Sequence, residues 1–521
     1  MKNLFVEAME KEVAWKKTEN GQDALNTTFD ACLDLFSTIG ALRSRSKSEI
    51  TTKFAKAYAE NALVAMKMVF YARDIEQGLG ERNTFKVILN YLGNAHPKDV
   101  IANLENIVKF GRFDDLYALV GTLAEKDAFA YMYKVFESDL SAYTNGKPMT
   151  LAAKWLKSVN TSSKESNKLG CMTAKAFGLT VAEYRKSLAK MRARIKVLEQ
   201  EISAGKWDNI DFTIVPGGAM KKYNKAFYRH QEERFTDYLT ALKENKTVKV
   251  VKADGTVVEK EAKINTKHLF PYEIIEKYVD NYNFTTNGVK NSLEAMWNGI
   301  EDYVDGADVS SIVIADVSGS MYGRPMATSV GLAIYFAERN KGPFRNKFIT
   351  FSTNPTWISL PENSTLSDKI NITAKADWDG STNLEAALDL VLNTAVKYRL
   401  AQEDLPKSLV IITDMEFNQC VSDNHSYASY WNATATKMTF YDTMKNKYAS
   451  YGYTIPEIVF WNVNARNDTY HTTANVPHVR MVSGQAASVF KSLIDGKTHT
   501  PYEFMLEVLG NARYDCVVHI E

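Results

Sequence analysis

A short apolar run that ends in a polar loop, residues 310–321, constrains the fold more than any other stretch of this chain. The segment Ile312–Ala315 is apolar and rich in β-branched residues, which predicts a buried strand. Asp316, Ser318 and Ser320 follow it in a D-x-S-x-S pattern. Oxygen ligands on a loop at the carboxyl end of a strand suit a hard cation such as Mg²⁺. The stretch therefore predicts an open α/β sheet with a metal site at its edge.

Strands alternate with helices from about residue 305 onward. Strands are predicted at Ile312–Ala315, Lys347–Ser352, Trp357–Leu360, Ser408–Thr413, Glu457–Trp461 and Val479–Val482, and helices at Met326–Arg339, Asn383–Tyr398, Ala433–Tyr451 and Ala486–Leu493. Alternation of this kind indicates a mostly parallel, doubly wound sheet, which we assign to residues 306–521.

Two further stretches place oxygen ligands at the same edge of that sheet. The turn Trp378–Asn383 opens a helix and offers the hydroxyl of Thr382. The apolar strand Ser408–Thr413 ends in a second carboxylate, Asp414. Because parallel strands present their carboxyl ends along one edge, these groups can meet Asp316 there.

Residues 1–305 are predicted to be mostly helical, because short amphipathic windows follow one another between glycine-containing turns. The pattern favours an all-α, HEAT-like helical repeat, although no fixed repeat length is present. One exception is the segment 247–262, where Asp254 and Gly255 lie between alternating valines, which predicts a β-hairpin. The chain is therefore predicted to be multidomain.

Charge is unevenly distributed along the chain. The net charge is +1, but residues 147–252 contain 22 Lys/Arg and 10 Asp/Glu. Such an excess is typical of a segment that binds an anionic partner, for which RNA is the leading candidate. The candidate RNA contacts are Arg185, Lys186, Lys190, Arg192, Arg194 and Lys196 in a first cluster, and Lys221, Lys222, Lys225 and Arg229 in a second.

Each basic cluster also has an ordinary structural interpretation. The apolar stripe through Tyr184, Leu188 and Met191 predicts a helix whose cations form a solvated face. In the second cluster, Tyr223 and Phe227 could stack on unpaired bases or simply belong to the core.

The cysteines, the apolar runs and the missing catalytic motifs limit the classes of protein to which the chain can belong. The four cysteines are far apart, which argues against a disulfide framework or a zinc site and for a reducing compartment. We find neither a secretory signal nor a run of about 20 apolar residues that could span a bilayer, so a cytoplasmic protein without membrane contacts is expected. The phosphate-binding, serine-hydrolase and zinc-protease motifs are missing, so no enzymatic activity is expected.

The combination of Asp316, Ser318, Ser320, Thr382 and Asp414 resembles the metal-ion-dependent adhesion site of von Willebrand factor A (vWA) domains, which are Rossmann-like α/β folds. The resemblance implies that the first four residues surround a Mg²⁺, or another divalent cation, and that Asp414 is anchored directly or through water. Met415 is a departure, since many such domains have glycine at this position. A metal held mainly by hydroxyls also implies a protein ligand that offers a carboxylate.

The helical half is similar to the TROVE module of Ro-type ribonucleoproteins. The similarity rests on Leu151–Leu156, Leu179–Lys186, Trp207–Phe212, Val215–Met220, Gly21–Arg43 and Tyr71–Arg82. It is greatest to an uncharacterised group of phage and plant proteins that join such a module to a vWA domain. The resemblance implies a ring of helices closed by the vWA domain, which binds misfolded or small non-coding RNA.

Two functions are consistent with these observations. The first is a non-enzymatic, Ro-like RNA-binding scaffold with a Mg²⁺ site. The alternative is a metal-dependent protein–protein interaction adaptor of a larger complex, without RNA binding.

Overall fold

The computed structural model describes residues 4–251, 256–279, 287–305, 310–378, 380–420, 437–494 and 499–520. Residues up to about 300 form mainly α-helices, and residues from 311 onward form a mixed sheet with flanking helices. The coarse prediction of a multidomain chain, with a helical region followed by an α/β region, is therefore confirmed.

The first region is built mainly from helices, which are numbered in chain order. They are α1 (Leu4–Ala14), α2 (Ala31–Phe36), α3 (Lys47–Glu60), α4 (Ala62–Arg73), α5 (Asn83–Ala95), α6 (Pro97–Ala102), α7 (Leu104–Phe110), α8 (Glu125–Thr144), α9 (Ala152–Trp155), α10 (Lys164–Ala176), α11 (Val181–Arg194), α12 (Leu198–Ser203), α13 (Gly217–His230), α14 (Glu232–Lys243), α15 (Pro271–Val279) and α16 (Asn287–Asn298).

The helices of this region are irregular in length. They range from 4 residues in α9 to 20 in α8. Two antiparallel strand pairs interrupt them, β1 (Trp15–Lys17) with β2 (Asp23–Leu25) and β3 (Thr247–Val251) with β4 (Val257–Glu261). A stack of HEAT-like repeats needs helix pairs of similar length, so the described residues do not support the regular repeat that the sequence suggested.

Local side chains fix where the helices begin. Ser46 accepts from the backbone N–H of Glu49, whose carboxylate accepts from the backbone of Ser46, so a capping box starts α3. The amphipathic pattern of residues 51–71 is continuous and predicts a single helix from sequence. In the structure Asn61 has an extended backbone and its side chain caps α4. The structure therefore has two helices, α3 and α4, where the apolar pattern suggested one.

The second region contains the strands and helices of the α/β sheet. The strands are β5 (Ser311–Asp316), β6 (Lys347–Phe351), β7 (Thr356–Ser359), β8 (Ser408–Thr413), β9 (Glu457–Asn462) and β10 (Val479–Ser483), and the helices are α17 (Arg324–Arg339), α18 (Leu366–Thr373), α19 (Leu384–Tyr398), α20 (Phe440–Ser450), α21 (Val489–Leu493) and α22 (Pro501–Leu509). The predicted helix Ala433–Tyr451 corresponds to α20, and its residues 433–436 lie outside the described part of the chain.

The sheet has the strand order β10-β9-β8-β5-β6-β7. All neighbouring strands are parallel except β7, which pairs antiparallel with β6 along the edge. The chain leaves β5 toward β6 on one side and later returns to β8 on the other. The carboxyl ends of β5 and β8 therefore lie at the point where the strand order reverses, which is where open α/β sheets bind ligands.

Alternate residues of the central strands belong to two separate cores. Val313 of β5 and Val410 of β8 pack in the large core that continues into the helical region. Ile314 and Ile411 pack in the smaller core beneath α19 and α20. Burial on both faces explains why these strands are continuously apolar instead of alternating.

Close backbone approaches join the helical region to the sheet. A Cβ on Gly40 would lie 2.7 Å from the Cα of Gly484, which follows β10, so only glycine permits this contact. Gly331 lets α17 approach Pro271 and Ile275 of α15. At the other end of the chain, Asn103 donates to the carbonyl of Val518 and holds the C-terminal segment against the first helices.

No helix in the described residues is both long enough and apolar enough to cross a membrane.

Candidate functional site

Asp316 is the last residue of β5, and its side chain is completely buried. One carboxylate oxygen accepts from the backbone N–H of Ser318 at 2.9 Å. The other accepts from the hydroxyl of Thr413, the last residue of β8, at 2.6 Å. The two hydrogen bonds hold the carboxylate at the carboxyl edge of the sheet, between its two central strands.

Three hydroxyls lie close together beside this carboxylate. The Oγ atoms of Ser318 and Ser320 are 3.3 Å apart, and Oγ1 of Thr382 lies 3.2 Å from Oγ of Ser318. The loop that carries Thr382 is held against the first loop by the backbone N–H of Gly319, which donates to the carbonyl of Gly380. The structure thus brings together the three hydroxyls that the sequence singled out.

Asp414 follows β8 and is also buried. Its Oδ2 accepts from Nη2 of Arg466 at 2.8 Å, and the hydroxyl of Ser320 donates to the same carboxylate. The Arg466 guanidinium also pairs with Glu19, at 3.0 Å. All five residues of the predicted cation site therefore lie at one edge of the sheet, and Arg466 is added to them.

The electrostatic balance of this edge favours an additional positive charge. Burial raises the pKa of Asp316 to about 7, and the negative charge of Asp414 contributes to this rise. Burial also raises the pKa of Asp414, and this effect outweighs the opposing charge of Arg466. The Arg466 guanidinium pairs with Asp414 and Glu19 and not with Asp316, so the ionised site carries a net negative charge.

Met415 occupies the position where the resemblance anticipated glycine. Its φ is +71°, in the left-handed region that glycine favours, so the loop keeps the shape that glycine would give it despite the side chain. A neighbouring imidazole supports that backbone. Nε2 of His471 lies 2.9 Å from the Met415 carbonyl, and the ring stacks on Phe417 at 4.3 Å. Burial lowers the pKa of His471 to about 4, so the ring is neutral and Nε2–H donates to this carbonyl.

An N-terminal segment, residues 18–22, covers part of the site. The side chain of Asn20 donates to the carbonyl of Glu416 at 2.5 Å and lies 3.4 Å from Oγ1 of Thr382. The backbone N–H of Gln419 donates to the carbonyl of Asn20 at 3.1 Å. The site is therefore completed by residues from the beginning of the chain.

Three of these groups, Thr413, Arg466 and Asn20, were not predicted from the sequence. Thr413 directly precedes Asp414, and Arg466 lies on the loop after β9, so inspection of every strand end along the edge would have found both. Asn20 is 396 residues from Glu416 in the sequence, and no local pattern marks it.

Two of the ten cations proposed to contact RNA form internal contacts, and the other eight are exposed. Arg192 donates to the carbonyls of Ala153 and Leu156, and Lys221 pairs with Glu273 at 2.5 Å. These two cations are therefore committed to internal contacts. The exposed members are Arg185, Lys186, Lys190, Arg194, Lys196, Lys222, Lys225 and Arg229. Phe227 is buried and Tyr223 is half-buried, as the structural interpretation of this cluster expected.

A second group of metal-ligating residue types, Asp30, Cys32 and Glu60, lies near α2. Asp30 accepts from the backbone N–H of Leu33, and Glu60 accepts from that of Ala31. Both carboxylates therefore already serve the start of this helix, and we assign the group a structural role.

Two family models match this chain. A domain of unknown function (DUF2828) matches residues 18–169 and 149–300, and another domain of unknown function (DUF7788) matches residues 310–511. The chain is also similar to the uncharacterized protein L728 of Acanthamoeba polyphaga mimivirus. The two are 30% identical over 531 residues, which cover 94% of this chain and 86% of the viral protein.

These matches overturn the family resemblance drawn from the sequence. The matching models are domains of unknown function and the relative is uncharacterized, so assignment to the Ro/TROVE ribonucleoproteins and to the vWA domains was wrong. The expectations of a TROVE-like ring and of RNA binding lose their support with it. The stretches that suggested TROVE are short pieces of helix, turn and strand, whose patterns unrelated proteins share. A D-x-S-x-S loop requires only a strand that is followed by hydroxyl-bearing residues.

Proposed function

The chain belongs to the DUF2828 family, and we propose that it is a non-enzymatic adaptor that binds a divalent cation, Mg²⁺ first, and uses it to bind a carboxylate of a protein partner. The observation that carries the proposal is the convergence of two buried carboxylates and three hydroxyls at the sheet edge, with only one guanidinium among them. Asp316, Ser318, Ser320 and Thr382 would hold the cation directly, and Asp414, which is paired with Arg466, would hold it through a water molecule.

The donor set suits a hard cation. Mg²⁺ binds oxygen ligands in an octahedral shell and usually keeps several water molecules. Asp316 and the three hydroxyls offer oxygens from two loops, while Asp414 stays paired with Arg466. When bound, the cation supplies positive charge to a buried pair of carboxylates that repel each other.

The incomplete ligand shell of the cation supports an acidic partner. With Asp316, Asp414 and Glu19 ionised and Arg466 charged, these four side chains carry a net charge of −2, which a divalent cation balances. A partner carboxylate would then take the place of a water molecule on the cation. This is recognition through the metal, and it requires no nucleophile or general base.

An exposed aromatic side chain next to the loop that carries Ser318 and Ser320, called the hydroxyl loop below, supports a protein partner. Tyr322 follows Ser320 by two residues and is 88% exposed. Exposed tyrosines often anchor protein interfaces, because the ring offers a large contact area at a low entropy cost. Tyr322 would therefore lie beside the incoming carboxylate.

Titration of the full chain with Mg²⁺ and Mn²⁺ by calorimetry tests cation binding. We expect one site per chain for the wild type and none for Asp316→Asn. Asp237→Asn, which changes an exposed aspartate on α14, is the matched control and should bind like the wild type.

Mn²⁺ relaxation of water protons tests the acidic ligand. An added glutamate-containing peptide should lower the relaxation enhancement of the Mn²⁺ complex, because it displaces bound water. The same peptide with glutamine in place of glutamate should have no effect. Equal effects of the two peptides would exclude carboxylate recognition.

A further inference from the structure

A large cavity lies among the helices of the first region and the start of α17. Its volume is about 1760 Å³. The segments that line it include the loop before α5, α9, α11 and α13. Pockets for small ligands have volumes of roughly 300–1,000 Å³, so this cavity is large enough for a ligand together with ordered water.

The cavity wall is strongly cationic. Nine Lys/Arg and four Asp/Glu line it, although the whole chain has a net charge of only +1. The cations are Arg43, Arg73, Arg82, Arg112, Lys154, Lys157, Arg192, Lys222 and Arg324. The acids are Glu81, Asp114, Glu199 and Glu273. Such an excess of one charge in a concave wall attracts an anion.

Several of these cations are held in place by internal partners. Arg43 donates to Glu81 at 2.9 Å, and Arg112 forms two 2.8 Å hydrogen bonds with Asp114. The Arg112 guanidinium also lies 4.1 Å above the ring of Trp155. Arg73 and Arg324 also have carboxylate partners behind the wall, Asp115 at 2.8 Å and Glu276 at 3.1 Å. The positive charge that a ligand could use therefore comes from the cations of the wall that have no such partner.

Four cations of the wall form no ion pair with a carboxylate among the described residues: Arg82, Lys154, Arg192 and Lys222. Of these, Arg192 donates to backbone carbonyls and Lys222 contacts Tyr223, which leaves Arg82 and Lys154. The guanidinium of Arg82 forms neither a hydrogen bond nor an ion pair in the described part of the chain, although it lies near Arg73 and Arg112. Burial and these like charges lower its pKa. The ammonium of Lys154 contacts only the ring of Trp155, at 5.2 Å from its centre. Asp114 and Asp115 offset part of this repulsion, but Asp114 is already paired with Arg112 and Asp115 with Arg73, so Arg82 has no countercharge of its own.

We propose that this cavity binds a small, multiply phosphorylated ligand, with Arg82 and Lys154 as direct phosphate contacts. A phosphate group has the charge density that the wall requires, and the planar guanidinium of arginine matches its oxygens. A compact ligand with several phosphates places many charges in the limited space between the cations. Nucleoside polyphosphates, inositol phosphates and inorganic polyphosphate share this chemistry.

Calorimetric titrations of the full chain with tripolyphosphate, ATP and inositol hexakisphosphate test the proposal. EDTA is present throughout, so that the cation site does not contribute. At least one ligand should bind, and citrate should bind much more weakly. Comparison of the three affinities shows whether the cavity prefers inorganic polyphosphate, a nucleoside polyphosphate or an inositol phosphate.

Arg82→Gln should weaken this binding by about tenfold or more, because it removes charge-assisted hydrogen bonds to phosphate. Its unfolding midpoint should match that of the wild type, since the guanidinium has no internal partner among the described residues. Lys154→Gln provides a second, independent loss of affinity. Lys126→Gln, which changes an exposed lysine on α8, is the matched control and should bind normally.

Three results would overturn the assignment. One is that none of the phosphate ligands binds the wild type. Another is that Arg82→Gln and Lys154→Gln, both folded, bind as tightly as the control. The third is that only a single-stranded oligonucleotide binds, because the occupant would then be a macromolecule and not a small ligand.

Discussion

Replacement of Asp316 by asparagine should have opposite effects on the metal-free and the metal-bound protein. The oxygen of asparagine can still accept from the backbone N–H of Ser318, and its amide N–H can donate to the hydroxyl of Thr413, but the substitution removes one of the two buried negative charges. The metal-free variant is therefore expected to be more stable than the wild type at pH 8. With Mg²⁺ present the wild type should gain stability, and the variant should not.

The sign of the pH dependence follows from the raised pKa of Asp316. An ordinary aspartate titrates near 3.8, whereas this carboxyl in the folded protein titrates at about 7. The folded state binds the proton more tightly, so the stabilisation is complete below pH 3.8 and is lost as pH rises through 7. About three pKa units at 1.36 kcal/mol each give roughly 4 kcal/mol as an upper limit, and coupling to Asp414 lowers it to about 2–4 kcal/mol.

Urea unfolding of both proteins at pH 5 and pH 8, in EDTA and in Mg²⁺, measures these effects. In EDTA, Asp316→Asn should be more stable than the wild type, and this difference should grow by about 2 kcal/mol from pH 5 to pH 8. The reason is that the wild type loses more than half of the stabilisation from protonated Asp316 in this pH range. At a Mg²⁺ concentration 100 times the dissociation constant, the wild type should gain about 2.7 kcal/mol. If Mg²⁺ stabilises Asp316→Asn as much as the wild type, or if the advantage does not grow with pH, the assignment of the site is refuted.

Three other changes test the surroundings of the site and the fold. His471→Gln should reduce the loss of folding stability as pH falls from about 6.5 to 4. The buried imidazole has a lowered pKa, so its protonation in this pH range opposes folding in the wild type. Acid unfolding curves that are the same for both proteins would contradict this. Arg466→Gln should tighten Mg²⁺ binding several-fold in calorimetry, since Asp414 loses its neutralising partner. It should also lower the stability of the metal-free protein by about 1–3 kcal/mol in urea unfolding. Weaker Mg²⁺ binding would refute the charge argument. Arg73→Met should destabilise the chain by about 3–5 kcal/mol in urea unfolding, because the buried carboxylate of Asp115 loses its 2.8 Å ion pair and keeps the longer one with Lys86, at 3.5 Å. A loss below about 1 kcal/mol would show that Lys86 compensates this carboxylate.

The strands and the five predicted oxygen donors could be placed from sequence, because each depends on a local pattern. Apolar runs such as Ser408–Thr413 mark buried strands, and the end of each strand fixes the side chains that follow it. Because parallel strands share a carboxyl edge, Asp316 and Asp414 could be brought together without knowledge of the remaining fold.

The contacts that complete the site could not be predicted in the same way. Asn20 reaches Glu416 and Thr382 only because the β1–β2 pair packs against the loops after β8 and β9. Likewise, the boundary at Asn61 depends on a single capping side chain within a continuous apolar pattern. The family resemblance failed for a related reason, since it relied on short segments whose patterns are common to many folds.

The covering segment determines the side from which a partner can approach the cation. Residues 18–22 lie against Thr382 and the loop after β8, and Glu19 fixes them through Arg466. That side of the site is therefore already occupied by the chain itself. The hydroxyl loop is more open, since Gly319 and Tyr322 are exposed and Ser320 is half-buried. A partner carboxylate should therefore arrive over this loop and contact Tyr322. Tyr322→Ala should then weaken binding of the acidic peptide but leave Mn²⁺ affinity unchanged, whereas equal loss of both would place Tyr322 in the cation site itself.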